Sequence, residues 1–187
     1  MTGRPDFREV FRFLAKSRIR YVIVGGFAAG ILGEPRATVD IDLITFMPTS
    51  DLEKFILYAG KHRVKFSAGE IRKSIQSNAF FRIKISGTQV DFIVGESAFE
   101  FEVLTRGITT RIFGYKIPVA SPEDMILMKL VSGRLIDWND AKAIQLRYFG
   151  KMDVKYIESW ANRLKVQRGQ GHVISRWRKL LVMKLRG

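Results

Sequence analysis

The sequence has 187 residues, no cysteine and only two histidines, His62 and His172. The lack of cysteine excludes a disulfide scaffold, a thiolate metal centre and a cysteine nucleophile, and two histidines make a His-rich zinc centre a poor explanation. The longest stretch without a charged side chain, residues 21–33, includes four glycines and is shorter than the roughly 20 apolar residues that span a bilayer. The N-terminal residues lack the apolar core of a signal peptide. We therefore expect a soluble, cytoplasmic protein.

Negative charge is also scarce, because the sequence has 18 Asp and Glu residues against 32 Lys and Arg residues, which gives a net charge of +14. A field of this sign favours polyanions, such as nucleic acid, nucleotide phosphates or a membrane surface. Ten basic and two acidic residues fall in residues 151–187, which we call the basic C-terminal region. This region is either a solvated helical tail or a contact surface for a polyanion, and charge alone does not choose between RNA, DNA and nucleotide.

Hydrophobic periodicity changes character at about residue 120. Short strands and helices alternate before this point, and four helices follow it. The predicted helices are 5–17, 27–32, 52–59, 97–105, 122–132, 138–149, 153–166 and 172–185, and the predicted strands are 20–24, 40–46, 79–86, 89–94, 108–113 and 116–119. The sequence therefore predicts an α/β (α+β) domain over residues 1–120, with a mixed β-sheet and flanking helices, and a C-terminal helical bundle over residues 121–187.

Glycines and carboxylates that suit phosphate and metal chemistry lie between residues 25 and 42. Gly25 and Gly26 follow a predicted strand and precede a predicted helix, where glycine lets the backbone approach a ligand and the helix start offers N–H groups to a phosphate. Asp40 and Asp42 are two residues apart on a predicted strand, so both carboxylates point to one face. A divalent cation relieves their repulsion, and oxygen ligands favour Mg²⁺ or Mn²⁺.

A third carboxylate, Asp91, alternates with apolar residues on another predicted strand. If this strand pairs beside the first, three carboxylates could hold two metal ions about 4 Å apart. A simpler interpretation makes Asp91 the ion-pair partner of Arg82 or Lys84 across a β-hairpin. Asp42 could likewise be an ordinary ion-pair partner.

The order of these features resembles the nucleotidyltransferase (polymerase-beta-like) superfamily. The resemblance rests on three features: the strand–Gly-Gly–helix junction, the motif Arg-x-Thr-x-Asp-x-Asp at residues 36–42, and a strand aspartate about 50 residues later. The form RxTxDID is similar to the AbiE-type toxin and minimal nucleotidyltransferase group, over about residues 20–145. The resemblance implies that Gly25 and Gly26 bind nucleotide phosphates, and that Asp40, Asp42 and Asp91 are catalytic and bind two Mg²⁺ (or Mn²⁺) ions. Many superfamily members have Gly-Ser in place of Gly-Gly.

A later segment, SPEDMILMKLVSGRLIDWNDA from Ser121, resembles a helical motif that serves the nucleotide site of that group. The resemblance implies nucleotide-binding roles for Lys129 and Asp140, with Arg134 as a further candidate. From the residues alone, Lys129 could instead extend its stem along a core-facing helix, and Asp137 is expected to be the N-cap of a helix.

Two residues on the loop before the paired aspartates complete the predicted nucleotide-binding set. Arg36 is either a phosphate contact or an ordinary loop cation. Thr38 is placed at the same site, and its hydroxyl is also suited to stabilising the loop by hydrogen bonding.

The resemblance implies a Mg²⁺-dependent transfer of a nucleoside monophosphate from an NTP to an acceptor hydroxyl. The basic C-terminal region favours RNA, in particular tRNA, as acceptor, and the AbiE-type likeness suggests a toxin with an antitoxin partner. A protein hydroxyl (AMPylation) and a small molecule stay open as acceptors. A non-catalytic module that binds RNA or a partner protein is a further alternative, as is a glycosyltransferase that uses Asp-x-Asp, although the chain is short for that fold.

Overall fold

The computed structural model describes residues 6–62, 64–168 and 171–184. The chain divides into two compact units. The first contains the chain up to Ala28 together with Ala37–Ala120, and the second contains Ala29–Arg36 together with the chain from Ser121 onward.

The first unit is built on a six-stranded mixed sheet with the strand order β3-β4-β2-β1-β6-β5. Strands β2 and β4 pair in parallel, as do β1 and β6, and the other neighbours are antiparallel. The strands are β1 Tyr21–Val24, β2 Asp40–Thr45, β3 Phe80–Ile85, β4 Thr88–Val94, β5 Ile108–Ile112 and β6 Tyr115–Val119. The helices are α1 Phe7–Lys16, α2 Gly25–Leu32, α3 Thr49–Lys61, α4 Ala68–Asn78 and α5 Ala98–Arg106, of which α2 passes from the first unit into the second.

Burial along the central strands explains how the sheet is positioned. Every residue of β1 is buried, as expected for an apolar strand covered on both faces. In β2, Ile41 and Leu43 are fully buried while Asp40 and Asp42 are half-buried on the other face. Aromatic rings fill the core beneath β3 and β4, where Phe81 and Phe92 stack at 4.4 Å between centroids. This packing fixes which face of the sheet carries the polar residues.

The second unit is helical. Its helices are α6 Pro122–Ser132, α7 Leu135–Arg147, α8 Val154–Arg168 and α9 His172–Lys184. Helix α6 is capped at its N-terminus by Ser121, whose hydroxyl accepts from the N–H of Asp124, and it ends at Gly133 with φ +69°. The side chain of Trp177 in α9 is fully buried. Within the described residues, no helix is long and apolar enough to cross a membrane.

The predicted mixed sheet with flanking and C-terminal helices is confirmed, with differences at individual helices. Helix α4 was not predicted, because only Ile71 of its eleven residues is buried and the segment shows little periodicity. Helix α2 begins at Gly25 rather than at residue 27, because glycine adopts the φ of +68° that the strand-to-helix junction needs. Helix α7 begins at Leu135 rather than at residue 138. The predicted helix start at residue 5 and helix end at residue 185 lie outside the described residues.

Candidate active site

The register of β2 and β4 brings two aspartates side by side. Asp42 lies directly opposite Asp91 in the parallel pair, and Asp40 lies opposite Gln89. Neighbouring strands are about 4.8 Å apart, and opposite residues share a face of the sheet. The carboxylates of Asp42 and Asp91 therefore share one face, and Asp40 lies on the same face two residues before Asp42. Asp91 is only 7% exposed.

A guanidinium neutralises part of this negative charge. Arg82 lies opposite Asp91 in the antiparallel β3–β4 pair, and its Nε and Nη2 donate to the two carboxylate oxygens at 2.7 and 2.8 Å. These hydrogen bonds raise the pKa of Arg82, and the charges of Asp91, Asp40 and Asp42 add to the effect. Asp91 thus has the partner that the ion-pair interpretation expected.

The residues suit a divalent cation in donor chemistry and charge. Carboxylate oxygens are preferred Mg²⁺ ligands, and the Arg82 guanidinium, whose pKa the charges of all three aspartates help to raise, carries positive charge of the kind that a cation would supply. Nevertheless, in the described part of the chain no three His, Cys, Asp or Glu side chains are gathered closely enough to hold a metal ion. Asp91 is turned to Arg82, and Asp40 accepts a hydrogen bond from Thr38 at 2.8 Å. A metal would therefore have to draw these carboxylates away from their present partners.

Gly25 lies against the carboxylate of Asp42. Antiparallel pairing places Val24 opposite Asp42, and the chain then turns into α2 at Gly25 with φ +68°. A Cβ at this position would lie 1.9 Å from Asp42 Oδ2, which no side chain can tolerate. Since the first N–H groups of a helix lack intrahelical acceptors and lie at its positive end, the start of α2 can receive an anion. Gly26, the second residue of α2, is buried.

The second unit holds a cluster of five charged side chains and one serine, which we call the charge cluster: Arg36, Lys129, Ser132, Arg134, Asp137 and Asp140. Lys129, 6% exposed, donates to Asp137 at 2.9 Å and pairs with Asp140 at 2.8 Å. Arg36 Nη1 donates to Asp140 at 3.0 Å, while its Nε is buried without a hydrogen-bond partner. The cluster therefore brings together three predicted nucleotide-binding residues, Arg36, Lys129 and Asp140.

Asp137 is the residue that sequence reasoning assigned wrongly. It is not an N-cap, because Arg134 occupies that position and Asp137 is the third residue of α7. Its side chain is 1% exposed and accepts from Ser132 at 2.7 Å and from Arg134 Nε at 2.6 Å, as well as from Lys129. Burial alone would raise the pKa of Asp137, but these hydrogen bonds outweigh it and hold the pKa well below its usual range. Its spacing of one helical turn from Asp140 was the signal that could have identified it.

A mixed sheet that pairs aspartates on neighbouring strands beside a glycine-led helix defines the nucleotidyltransferase fold, and solved structures of that class are similar. The antibiotic-resistance factor ANT(2'')-Ia superposes with a TM-score of 0.56 at 16% identity, over 89% of this chain and 95% of the other. The lincosamide antibiotic adenylyltransferase LnuA superposes with a TM-score of 0.54 at 16% identity, over 76% and 98%. At these identities the likeness is one of fold.

The particular family follows from the sequence. The family described as "Nucleotidyl transferase of unknown function (DUF2204)" matches residues 4–174, so the chain belongs to this family and is a nucleotidyltransferase. No curated protein matches the sequence at a significant level. The narrower AbiE-type resemblance stays a prediction.

Proposed function

We propose that this nucleotidyltransferase moves a nucleoside monophosphate from an NTP to a hydroxyl of an RNA acceptor, tRNA in particular, with Mg²⁺ or Mn²⁺ as cofactor. One observation carries the proposal. The backbone of Gly25, at the start of α2, lies against the carboxylate of Asp42, and Asp42 is the register partner of Asp91 on the neighbouring strand. N–H groups suited to a phosphate and oxygens suited to a metal ion therefore lie next to one another within a single unit, which supports the proposal.

The nucleotide phosphates are proposed to bind at Gly25 and Gly26. Gly25 has no side chain, so the start of α2 can lie against the Asp42 carboxylate, and the N–H groups of this helix start are the donors proposed for the phosphate. Thr38 supports the site by fixing Asp40 through its hydroxyl. We also propose nucleotide-binding roles for Arg36, Lys129 and Asp140, and within the second unit Asp140 holds both cations.

Asp40, Asp42 and Asp91 are the residues that would hold the two metal ions. When bound, Mg²⁺ supplies charge neutralisation at the α-phosphate and lowers the pKa of the attacking hydroxyl. Both oxygens of Asp91 accept hydrogen bonds from Arg82. The guanidinium would therefore have to withdraw from at least one of these oxygens before Asp91 could bind a metal ion.

The reaction then balances as a single displacement. The acceptor hydroxyl oxygen forms a bond to the α-phosphorus, and the bond from that phosphorus to the bridging oxygen of pyrophosphate breaks. Pyrophosphate leaves with the electron pair, and a carboxylate oxygen of Asp91 accepts the hydroxyl proton. Catalysis in this scheme is positioning and charge stabilisation rather than covalent chemistry by the protein.

RNA is the acceptor that the charge of the chain favours. The net charge is +14, and the basic C-terminal region exposes Lys155, Arg163, Lys165, Arg178 and Lys179. Phosphate contacts of this kind supply most of the affinity of proteins for nucleic acid. The toxin role with an antitoxin partner rests on the RxTxDID resemblance alone, and arrest of growth on induced expression, relieved by Asp42→Asn, is its test.

The experiment that tests the transferase is label transfer. The protein is incubated with each α-³²P-labelled NTP, Mg²⁺ and total cell extract, beside Asp42→Asn and a matched control, Asp51→Asn, at an exposed aspartate that pairs with Lys54. We expect label on an RNA band with the wild type and the control, and none with Asp42→Asn or with EDTA. Label on a protein or a small molecule would replace the RNA assignment, and full transfer by Asp42→Asn would overturn the metal assignment.

A further inference from the structure

A groove of about 700 Å³ follows β3, one of the two edge strands of the sheet. It is lined by residues 65–67, 70, 71, 74, 81–84, 86 and 87, and we call it the edge groove. Lys65, Arg82 and Lys84 contribute positive charge to it and Glu70 contributes the one carboxylate. Its apolar lining includes the half-buried Phe66, and beneath it lie Phe81 and Ile83, which are almost fully buried.

The positive surface continues beyond this groove. A second groove of about 460 Å³, lined in part by Arg12, Lys16 and His62, shares Lys84 and Ser86 with the first. Its carboxylate, Glu9, is paired with Arg12. The two grooves therefore adjoin at Lys84 and present one extended cationic surface on the first unit.

Two lysines are held next to each other in the edge groove. Lys65 and Lys84 are partners in an antiparallel bridge, and like charges directly opposite each other in such a pair are destabilising. Both side chains are exposed, and within the described residues neither is paired with a carboxylate. An anionic ligand lying across the bridge would remove this repulsion.

The edge groove also reaches the proposed catalytic strand. Arg82 lines the groove and at the same time holds Asp91 through two hydrogen bonds. A ligand in the groove is thus one side chain away from the carboxylate to which the acceptor hydroxyl must come in the proposed reaction.

We infer that the edge groove binds the end of a single-stranded RNA acceptor. The inference rests on the proposed function, and it gives the acceptor a site on the first unit in addition to the basic C-terminal region. Lys65, Lys84 and Lys16 contact successive phosphates, and the half-buried side chain of Phe66 takes the face of an unstacked base. Cationic grooves with apolar or aromatic platforms bind single strands in this way, whereas a duplex hides its base faces.

The test is RNA binding without metal or NTP, so that it does not depend on catalysis. The probe is a fluorescein-labelled single-stranded oligoribonucleotide ending in CCA, titrated in EDTA and followed by fluorescence anisotropy at several salt concentrations. The variant Lys65→Gln/Lys84→Gln is compared with Lys116→Gln/Lys142→Gln, which removes the same charge from exposed positions outside both grooves and outside the basic C-terminal region.

We expect the groove variant to weaken binding about tenfold or more, and to reduce the slope of log K against log salt by about 1.4, since each lost phosphate contact on a single strand removes about 0.7. The control variant should change affinity less than about threefold. An unchanged slope in the groove variant, or an equal loss in both variants, would overturn the inference.

The same variants separate the inference from the proposed function. If the groove variant loses RNA binding but the wild type transfers no label to any acceptor, the groove assignment stands and the transferase proposal fails. If RNA is labelled equally by the wild type and the groove variant, the transferase proposal stands and the groove assignment fails. Circular dichroism and thermal unfolding confirm that both double variants are folded.

Discussion

Gly25→Ala is the substitution that most directly tests the site geometry. The new Cβ would lie 1.9 Å from Asp42 Oδ2, whereas Cβ contacts below about 3.0 Å essentially never occur. The carboxylate must therefore move by about 1 Å or more, or the start of α2 must shift. Either movement separates the helix N-terminus from the carboxylate that it adjoins.

The loss of stability expected for Gly25→Ala is the sum of two contributions. A non-glycine residue at φ +68° costs about 1–2 kcal/mol, and forcing extra volume into a packed site costs about 1–3 kcal/mol more. We therefore expect Gly25→Ala to lower the free energy of unfolding by about 2–5 kcal/mol. A displacement of about 1 Å in a reacting group can cost about 100-fold in rate, so kcat/KM for label transfer should fall by at least that factor.

Gly114→Ala is the matched control. Gly114, in the turn between β5 and β6, has φ +87°, but a Cβ there meets nothing within 4 Å. Its variant should show only the backbone cost of about 1–2 kcal/mol and retain the transfer rate. Urea denaturation gives the two free energies, and labelled-NTP kinetics give the rates. If both variants were equally stable and equally active, the contact between Gly25 and Asp42 would have no part in the site.

Three further predictions concern the charged side chains. Asp137→Asn should lower the free energy of unfolding by about 3–5 kcal/mol, measured by urea denaturation, because it removes one of the two carboxylates that hold buried Lys129. Folding lowers the pKa of Asp137, so the stability that its carboxylate contributes is present above the unfolded pKa of about 3.9 and is lost as the pH falls toward the folded pKa. The difference in free energy of unfolding between wild type and Asp137→Asn should therefore become smaller in acid. A difference that became larger in acid would refute this prediction. In the absence of NTP, Mn²⁺ should raise the Tm of Arg82→Gln more than it raises the Tm of the wild type, because Asp91 has lost the guanidinium that competes with the metal. An equal increase in Tm in both proteins would contradict this competition.

Local pattern was enough to place the carboxylates on strands but not to pair the strands. Alternation with Ile41 and Leu43 predicted that Asp40 and Asp42 share a face. That Asp42 lies opposite Asp91 depends on the parallel β2–β4 pair, whose partners are far apart in sequence. Periodicity carries no information on strand order, so the resemblance to a known superfamily, rather than the pattern, suggested this neighbourhood.

The charge cluster shows where local rules mislead. An aspartate near the start of a helix is a good N-cap by propensity, yet Asp137 is buried inside α7 because Lys129, from the preceding helix, supplies its counter-charge. Such compensation depends on two helices meeting, which the composition of neither helix reveals. The same limit hid the partner of Arg36, because Asp140 lies 104 residues away in the chain.

The two interpretations of Asp91, metal ligand and partner of Arg82, are not alternatives in physical terms. Three carboxylates on one face of a sheet repel one another and require a positive charge whether or not a metal is bound. The β3–β4 hairpin provides that charge by placing Arg82 opposite Asp91, and Arg82 is 52% exposed at its side chain, so it can leave without an uncompensated burial of its own charge. The ion pair therefore keeps the aspartates together before a metal arrives, and its exposure makes it exchangeable. On this argument the salt bridge is compatible with the proposed metal site, and in that proposal the affinity for a metal would depend on how readily Arg82 releases Asp91.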